Sequence, residues 1–266
     1  MAFTDKFAAE ILSLQVKLYS ASARLEARTD TEALHDLRIA VRRIRSLLKP
    51  FRRVEEMQAL NEAAAAVGRQ TTPARDLEVI IQELENSGFP QLARPRLLRL
   101  NAGYSAILNG MPLKRLFTAL DAWPAGFRAI ELDGGWADIQ PRIKRALQKQ
   151  VEQLHAAIED RRFDRHELRV LVKRTRYLTE AFPALSPLSG GEAKVLKGLQ
   201  SALGDWHDHY QWCQKALTEK ELLPLQSTWA VCAATALEDA ESRLSEAAKL
   251  LPKSAGKKKL PDQAAN

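Results

Sequence analysis

Apolar residues return at intervals of three and four along most of this chain, the period of a helix with one buried face. Residues 4–27 place Phe7, Ile11, Leu14, Leu18 and Leu25 on one side. Thr29 or Asp30 can cap the next helix, predicted from Thr31 to about Phe51. A third helix is predicted from residue 55, interrupted around Gly68. Thr71 or Thr72 caps its continuation with Pro73 in the first turn, and the pattern runs through Leu77, Ile80, Ile81 and Leu84 to the breaker at 86–90. A fourth helix passes through Arg94–Gly110, with Met111–Ala122 continuing or following it. Further helices are predicted over about 138–160, 164–182, 190–220 and 225–251, punctuated by Pro183, Pro187, Gly190–Gly191 and Pro224. Residues 123–137, with Pro124, Gly126, Gly134, Gly135, Trp123 and Trp136, are expected to connect two halves. Residues 256–266 are expected to be a disordered tail.

Composition supports an all-α chain of substantial core: 266 residues, 45% apolar, only 12 Gly and 12 Pro. Cys213 and Cys232 have no zinc-type spacing and read as reduced thiols. The N-terminal segment has acids within its amphipathic pattern and no signal-peptide core. No apolar run is long enough to span a membrane. These features predict a cytoplasmic protein. Forty Lys and Arg against 33 Asp and Glu leave a charge of +7, which matters only where it is clustered.

It is clustered in the second helix. From Arg38 to Arg53 the chain carries Arg38, Arg42, Arg43, Arg45, Lys49, Arg52 and Arg53 and no acid. Counted from His35, the side chains of Arg38, Arg42, Arg45, Lys49 and Arg53 fall between about 280° and 360°, while Leu34, Leu37, Val41, Ile44, Leu48 and Phe51 fall between about 160° and 260°. A narrow cationic ridge therefore borders the apolar stripe, with Arg43 on the far side.

The segment recurs. HDLRIAVRRIRSLLKPF at 35–51 aligns without gaps to HELRVLVKRTRYLTEAF at 166–182, with His, Leu, Arg, Val, Arg, Arg, Leu and Phe in common. His166, Arg169, Lys173 and Arg176 repeat the ridge of His35, Arg38, Arg42 and Arg45. Downstream, Asp76 falls opposite Asp208. Two pseudo-symmetric four-helix bundles are the simplest architecture, repeat one spanning about 4–122 and repeat two about 138–252.

At these residues the chain resembles the CHAD domain, a helical domain named for its histidines, over about residues 5–250. The shared pattern is His35-x-x-Arg38-x-x-x-Arg42-Arg43-x-Arg45 and His166-x-x-Arg169-x-x-x-Lys173-Arg174-x-Arg176. It is followed by the pairs Arg75–Asp76 and His207–Asp208. The resemblance implies two four-helix bundles around a basic central cleft or channel that binds inorganic polyphosphate, and association with polyphosphate granules. The second copy departs at Glu180, opposite Lys49, and in having His207 before Asp208.

Polyphosphate carries roughly one charge per phosphate and no bases. Helical steps of three and four hold arginines about 5–6 Å apart at Cβ, and each guanidinium offers a planar fork for phosphate oxygens. The candidate binding residues are His35, Arg38, Arg42, Arg45, Lys49, His166, Arg169, Lys173 and Arg176. Secondary candidates are Lys17, Arg96, Arg99, Arg142, Arg145, Lys149, Lys194 and Lys197. Asp76 and Asp208 are read as orienters of arginines on facing helices.

No catalytic motif is present: no Walker A, HExxH, GxSxG or Rossmann string, and no ExExK. His207, Asp208 and His209 are consecutive and diverge by about 100° per residue, which disfavours a metal site. No cofactor is implied. The leading expectation is a non-enzymatic polyphosphate-binding module. The alternatives are a nucleic-acid binder, a metal-dependent polyphosphate or triphosphate hydrolase, and a scaffold for an acidic partner protein. Nucleic-acid surfaces usually interleave aromatics with basic residues, and only Tyr177 stands on the ridge.

Overall fold

The structure, a computed structural model, describes residues 2–251. The expected tail at 256–266 lies outside the described residues. Ten α-helices carry the described chain and no strand occurs in it: α1 Phe3–Ala27, α2 Ala33–Leu48, α3 Glu55–Gln70, α4 Thr72–Asn86, α5 Pro90–Asn109, α6 Met111–Leu132, α7 Ile139–Glu159, α8 Arg165–Ala181, α9 Gly190–Thr218 and α10 Leu223–Leu250. Short 3-10 turns follow α2, α8 and α9. None of these helices is long and apolar enough to cross a membrane.

The chain forms two compact units. The first comprises residues up to Ala146 together with Glu180–Ala184; the second comprises Leu147–Thr179 and the residues from Leu185 onward. The division falls inside α7 and again near the end of α8.

In the first unit α1 packs on α2, α3 on α6 and α4 on α5. The stripe of α2 is fully used: Leu34, Leu37, Ile44 and Leu48 have no exposed surface and Val41 almost none. At one end of the unit Phe7 gathers an aromatic cluster, with ring centroids 5.4 Å from Phe51, 5.6 Å from Phe127, 6.2 Å from Trp123 and 6.4 Å from Phe182. Phe51 and Phe182, the matched last residues of the sequence repeat, thus meet the same ring. Trp123 and Trp136 satisfy their indole N–H groups on Met57 Sδ and the Phe127 carbonyl.

This cluster corrects the expected connection at 123–137. Helix α6 runs straight through Pro124 to Leu132. A proline inside a helix costs about 3 kcal/mol in isolation, but Trp123 and Phe127 on either side of it are buried in the aromatic cluster, and their burial offsets that cost.

The count of four helices per half holds only in the second unit. The first is cut at two extra places. Between α3 and α4 the chain turns at Thr71. Between α5 and α6 it turns at Gly110, where a Cβ would come within 2.2 Å of Gln70 Nε2 and 2.7 Å of the Ala106 carbonyl. The Gln70 amide donates to that carbonyl, so the crossing side chain requires glycine there. In the second unit α9 and α10 are unbroken helices of 29 and 28 residues paired along their length. Ser189 starts α9 by a reciprocal cap with Glu192: its hydroxyl accepts from the Glu192 amide while its own amide donates to the Glu192 carboxylate. Leu154, Ile158, Leu168, Val172, Leu196, Leu199, Leu203 and Leu244 form this unit's core.

Because Phe7 touches four rings, Phe7→Ala is expected to destabilise the first unit by about 3–5 kcal/mol, read as a lowered midpoint in chemical denaturation.

Candidate functional site

Burying the α2 stripe places the root of the adjoining ridge at a helix seam. Arg38 is half-buried, and its guanidinium reaches the turn between α3 and α4. Nη1 donates to Thr71 Oγ1 at 2.7 Å, with Thr72 Oγ1 at 3.3 Å and the Gly68 carbonyl at 3.4 Å. The hydroxyls of Thr71 and Thr72 donate in turn to the carbonyls of Val67 and Gly68, both at 2.9 Å. The last carbonyls of a helix lack intrahelical donors and form its negative end. Arg38 and the two threonines satisfy and neutralise that end.

Burial pulls the Arg38 pKa below its ordinary value, Asp76 and Glu78 oppose that shift, and Arg42 and Arg75 add to it. Arg45, two turns further along α2 than Arg38, lies over Gly68: a Cβ at Gly68 would stand 3.4 Å from Arg45 Nη1. Arg42 and Lys49 are half-buried, Arg45 is exposed and His35 is half-buried. Arg43 departs to the other side and pairs with Glu10 of α1 at 3.0 Å.

Beside Arg38, Arg75 Nη1 meets Glu78 Oε2 at 2.8 Å, and Tyr104 Oη donates to Glu78 Oε1 at 2.7 Å. Burial, then the bond to Glu78, raises the Tyr104 phenol well above its usual value. Glu78 is thereby held between a cation and a donor, and it fixes the Arg75 guanidinium.

In the second unit Arg165 anchors the start of α8. Its Nε and Nη2 donate to the two carboxylate oxygens of Glu241 on α10, and Nη1 donates to the Phe163 carbonyl. The next residue, His166, is exposed, and its ring centroid lies 4.7 Å from that of His207 on α9. Arg169 Nη2 approaches Asp208 Oδ1 at 3.9 Å. Burial first, then the neighbouring Arg169, His166 and Lys173, lower the His207 pKa to about 4. Arg176 lies 5.3 Å from the centroid of the neighbouring Tyr177 ring. Lys173 and Arg176 are half-buried and Glu180 is exposed.

The first-ranked candidates thus form two clusters, one in each unit. In each, the leading arginine has an aspartate from the next helices within electrostatic reach, Asp76 for Arg38 and Asp208 for Arg169.

The secondary candidates divide. Arg96 is only 2% exposed and its Nη1 donates to the Leu92 carbonyl, 2.7 Å away; it belongs to the packing of α5 and not to an open ridge. Arg142 and Arg145 turn back to Asp138, at 2.9 and 3.8 Å. Lys17, Arg99, Lys149, Lys194 and Lys197 are exposed. Among the described residues, no three His, Cys, Asp or Glu side chains converge as metal ligands would.

Residues 10–217 match the profile of the CHAD domain. The chain belongs to the CHAD domain family. Among solved structures it is similar to the crystal structure of the CHAD domain from the plant Ricinus communis, with a TM-score of 0.67 at 23% identity, covering 94% of this chain and 91% of that one. No curated protein matches.

Within this CHAD domain, sequence reasoning found the ridge helices but missed what holds their first residues. Thr71, Thr72, Glu78 and Tyr104 carry no repeated signature, and only the fold brings them to Arg38 and Arg75. His207 does carry such a signature: the register that sets Asp76 opposite Asp208 also sets Arg75 opposite His207.

Thr71 is fully buried, accepting from Arg38 and donating to Val67. Thr71→Val keeps the shape and removes both bonds, leaving the half-buried Arg38 guanidinium without its shortest acceptor while the Val67 carbonyl keeps the Thr71 backbone amide. The expected loss is about 1–3 kcal/mol, measured by urea denaturation, with helical content unchanged by circular dichroism.

Proposed function

We propose that this CHAD domain binds inorganic polyphosphate without catalysing a reaction, through the cationic ridges of α2 and α8. The observation that carries this reading is the shared construction of the two clusters. Each begins with a half-buried arginine set against a helix-borne aspartate, Arg38 near Asp76 and Arg169 near Asp208. Further cations follow it at helical steps along the same face: Arg42, Arg45 and Lys49, or Lys173 and Arg176. A guanidinium already held in place loses less side-chain freedom when a phosphate arrives. A row of cations at three- and four-residue steps suits a polymer of regularly spaced charges with no base to read. His35 and His166 stand at the head of each row, as the family resemblance implies. Association with polyphosphate granules would follow from binding of this kind.

The angular model separates residues of one helix. Arg42→Ala combined with Arg45→Ala is expected to weaken binding of long-chain polyphosphate by about a hundredfold to ten-thousandfold, since each hydrogen bond to a charged group contributes about 1.5–3 kcal/mol. Arg43→Ala, which removes the partner of Glu10, is expected to change affinity less than about twofold. Arg38 is left out of the ligand test because it also closes the α3–α4 turn. Titration against polyphosphate, single-stranded DNA and triphosphate at several salt concentrations decides the class. Tight, steeply salt-dependent polyphosphate binding with much weaker DNA binding is expected. Equal affinity for DNA at matched charge assigns the ridges to nucleic acid. Release of phosphate with added Mg²⁺ or Mn²⁺ makes the protein a hydrolase.

A further inference from the structure

The two units differ at one position beside the ridge. In the first, Arg75 is a permanent cation held by Glu78, whose second oxygen is taken by Tyr104. In the second, the aligned residues are His207 for Arg75 and Tyr210 for Glu78. The carboxylate that would hold a permanent charge is missing, and the cation is replaced by a group able to discard its charge. His207 lies against His166 at 4.7 Å between ring centroids, and its Nδ1 is buried with no hydrogen-bond partner. Without a ligand, a charged His207 would leave an unpaired buried N–H facing other positive groups, so the neutral ring is favoured.

We infer that His166 and His207 form a phosphate-binding subsite of the second unit that takes up a proton when a polyanion of phosphate binds. The inference rests on the polyphosphate reading above and adds to it a residue, His207, and a pH dependence. The groups facing His207 from α8 are His166, Arg169 and Lys173. On α9, Asp208 is engaged with Arg169. On α10, Asp239 and Arg243 act on Asp205, and on α7 His155 and Glu159 face each other at 3.5 Å. The local field at His207 is therefore positive. A phosphate chain laid on Arg169 and Lys173 reverses that field, and the imidazoles gain an acceptor for N–H donation.

The free and bound proteins should respond to acid in opposite ways. In the free protein the folded His207 pKa of about 4 lies below the unfolded value of about 6.5. The unfolded chain then binds more protons between these limits, and stability falls as pH drops through them. A bound polyanion raises the imidazole pKa, so affinity grows as pH falls toward that raised value.

Calorimetric titration with long-chain inorganic polyphosphate, whose few end groups contribute little titration, tests this at pH 8 and pH 6. At pH 6, two buffers of different ionisation enthalpy count the protons exchanged. The expected result is binding at both pH values, about threefold to tenfold tighter at pH 6, with a net uptake of about half a proton or more. His207→Gln should reduce the uptake and flatten the pH dependence. His207→Arg should bind at pH 8 about as tightly as wild type does at pH 6. Wild-type binding at both pH values without proton uptake overturns the inference and leaves the polyphosphate reading intact. Uptake unchanged in a folded His207→Gln also overturns it. No binding at either pH removes both. The wild-type proton count needs no variant, so the test stands even where a substitution unfolds the protein.

Discussion

The constraint that shapes this protein is the placement of cations at the border of a buried stripe. Leu34, Leu37, Val41, Ile44 and Leu48 must be dry for α2 to pack, and Arg38 and Arg42 are fixed to the same helix beside them. Their charged heads cannot all reach bulk water from a helix seam. An unpaired buried cation is far too costly to persist, so the surrounding helices supply compensation: the exposed carbonyl end of α3, two threonine hydroxyls, and the acids Asp76 and Glu78. The break between α3 and α4 is part of that arrangement, because an uninterrupted helix would offer Arg38 no free carbonyls.

The second unit meets the same demand differently. Its counterpart of α3 and α4 is the single long helix α9, which passes through Gly204 without ending, so no helix terminus is presented at that point. Arg169 instead lies near the Asp208 carboxylate, and the position beside it is filled by an imidazole. One repeated sequence thus leads to two electrostatic solutions, a helix end plus carboxylates in one unit and a carboxylate plus a histidine pair in the other. The aromatic cluster around Phe7 and the Arg165–Glu241 anchor play the supporting role, fixing the ends of the helices from which the ridges project.

Much of this was legible in the chain. The helical period, the ridge on α2 and its return on α8 need only the 3.6-residue repeat, and the proline at the start of α4 marks its boundary. Local signals failed where packing outweighed them. Pro124 and the flanking glycines suggested a connection, yet Trp123 and Phe127 are drawn into the core and carry the helix across. Arg96 looked like any other exposed cation of α5, and its burial depends on neighbours that no local pattern names. The cut at Gly110 depends on a side chain, Gln70, 40 positions earlier.

What the sequence determined alone is the periodic information: which faces are apolar, which cations share a face, and that the arrangement occurs twice. These follow from backbone geometry common to every helix and need no partner. Only the tertiary structure decided which cations have carbonyls, hydroxyls or carboxylates beside them, since those partners arrive from helices 30 to 40 positions away. It also decided that His207 lies against His166, because the charge state of an imidazole is set by the solvent it has lost and the charges it faces. Both are properties of the folded neighbourhood.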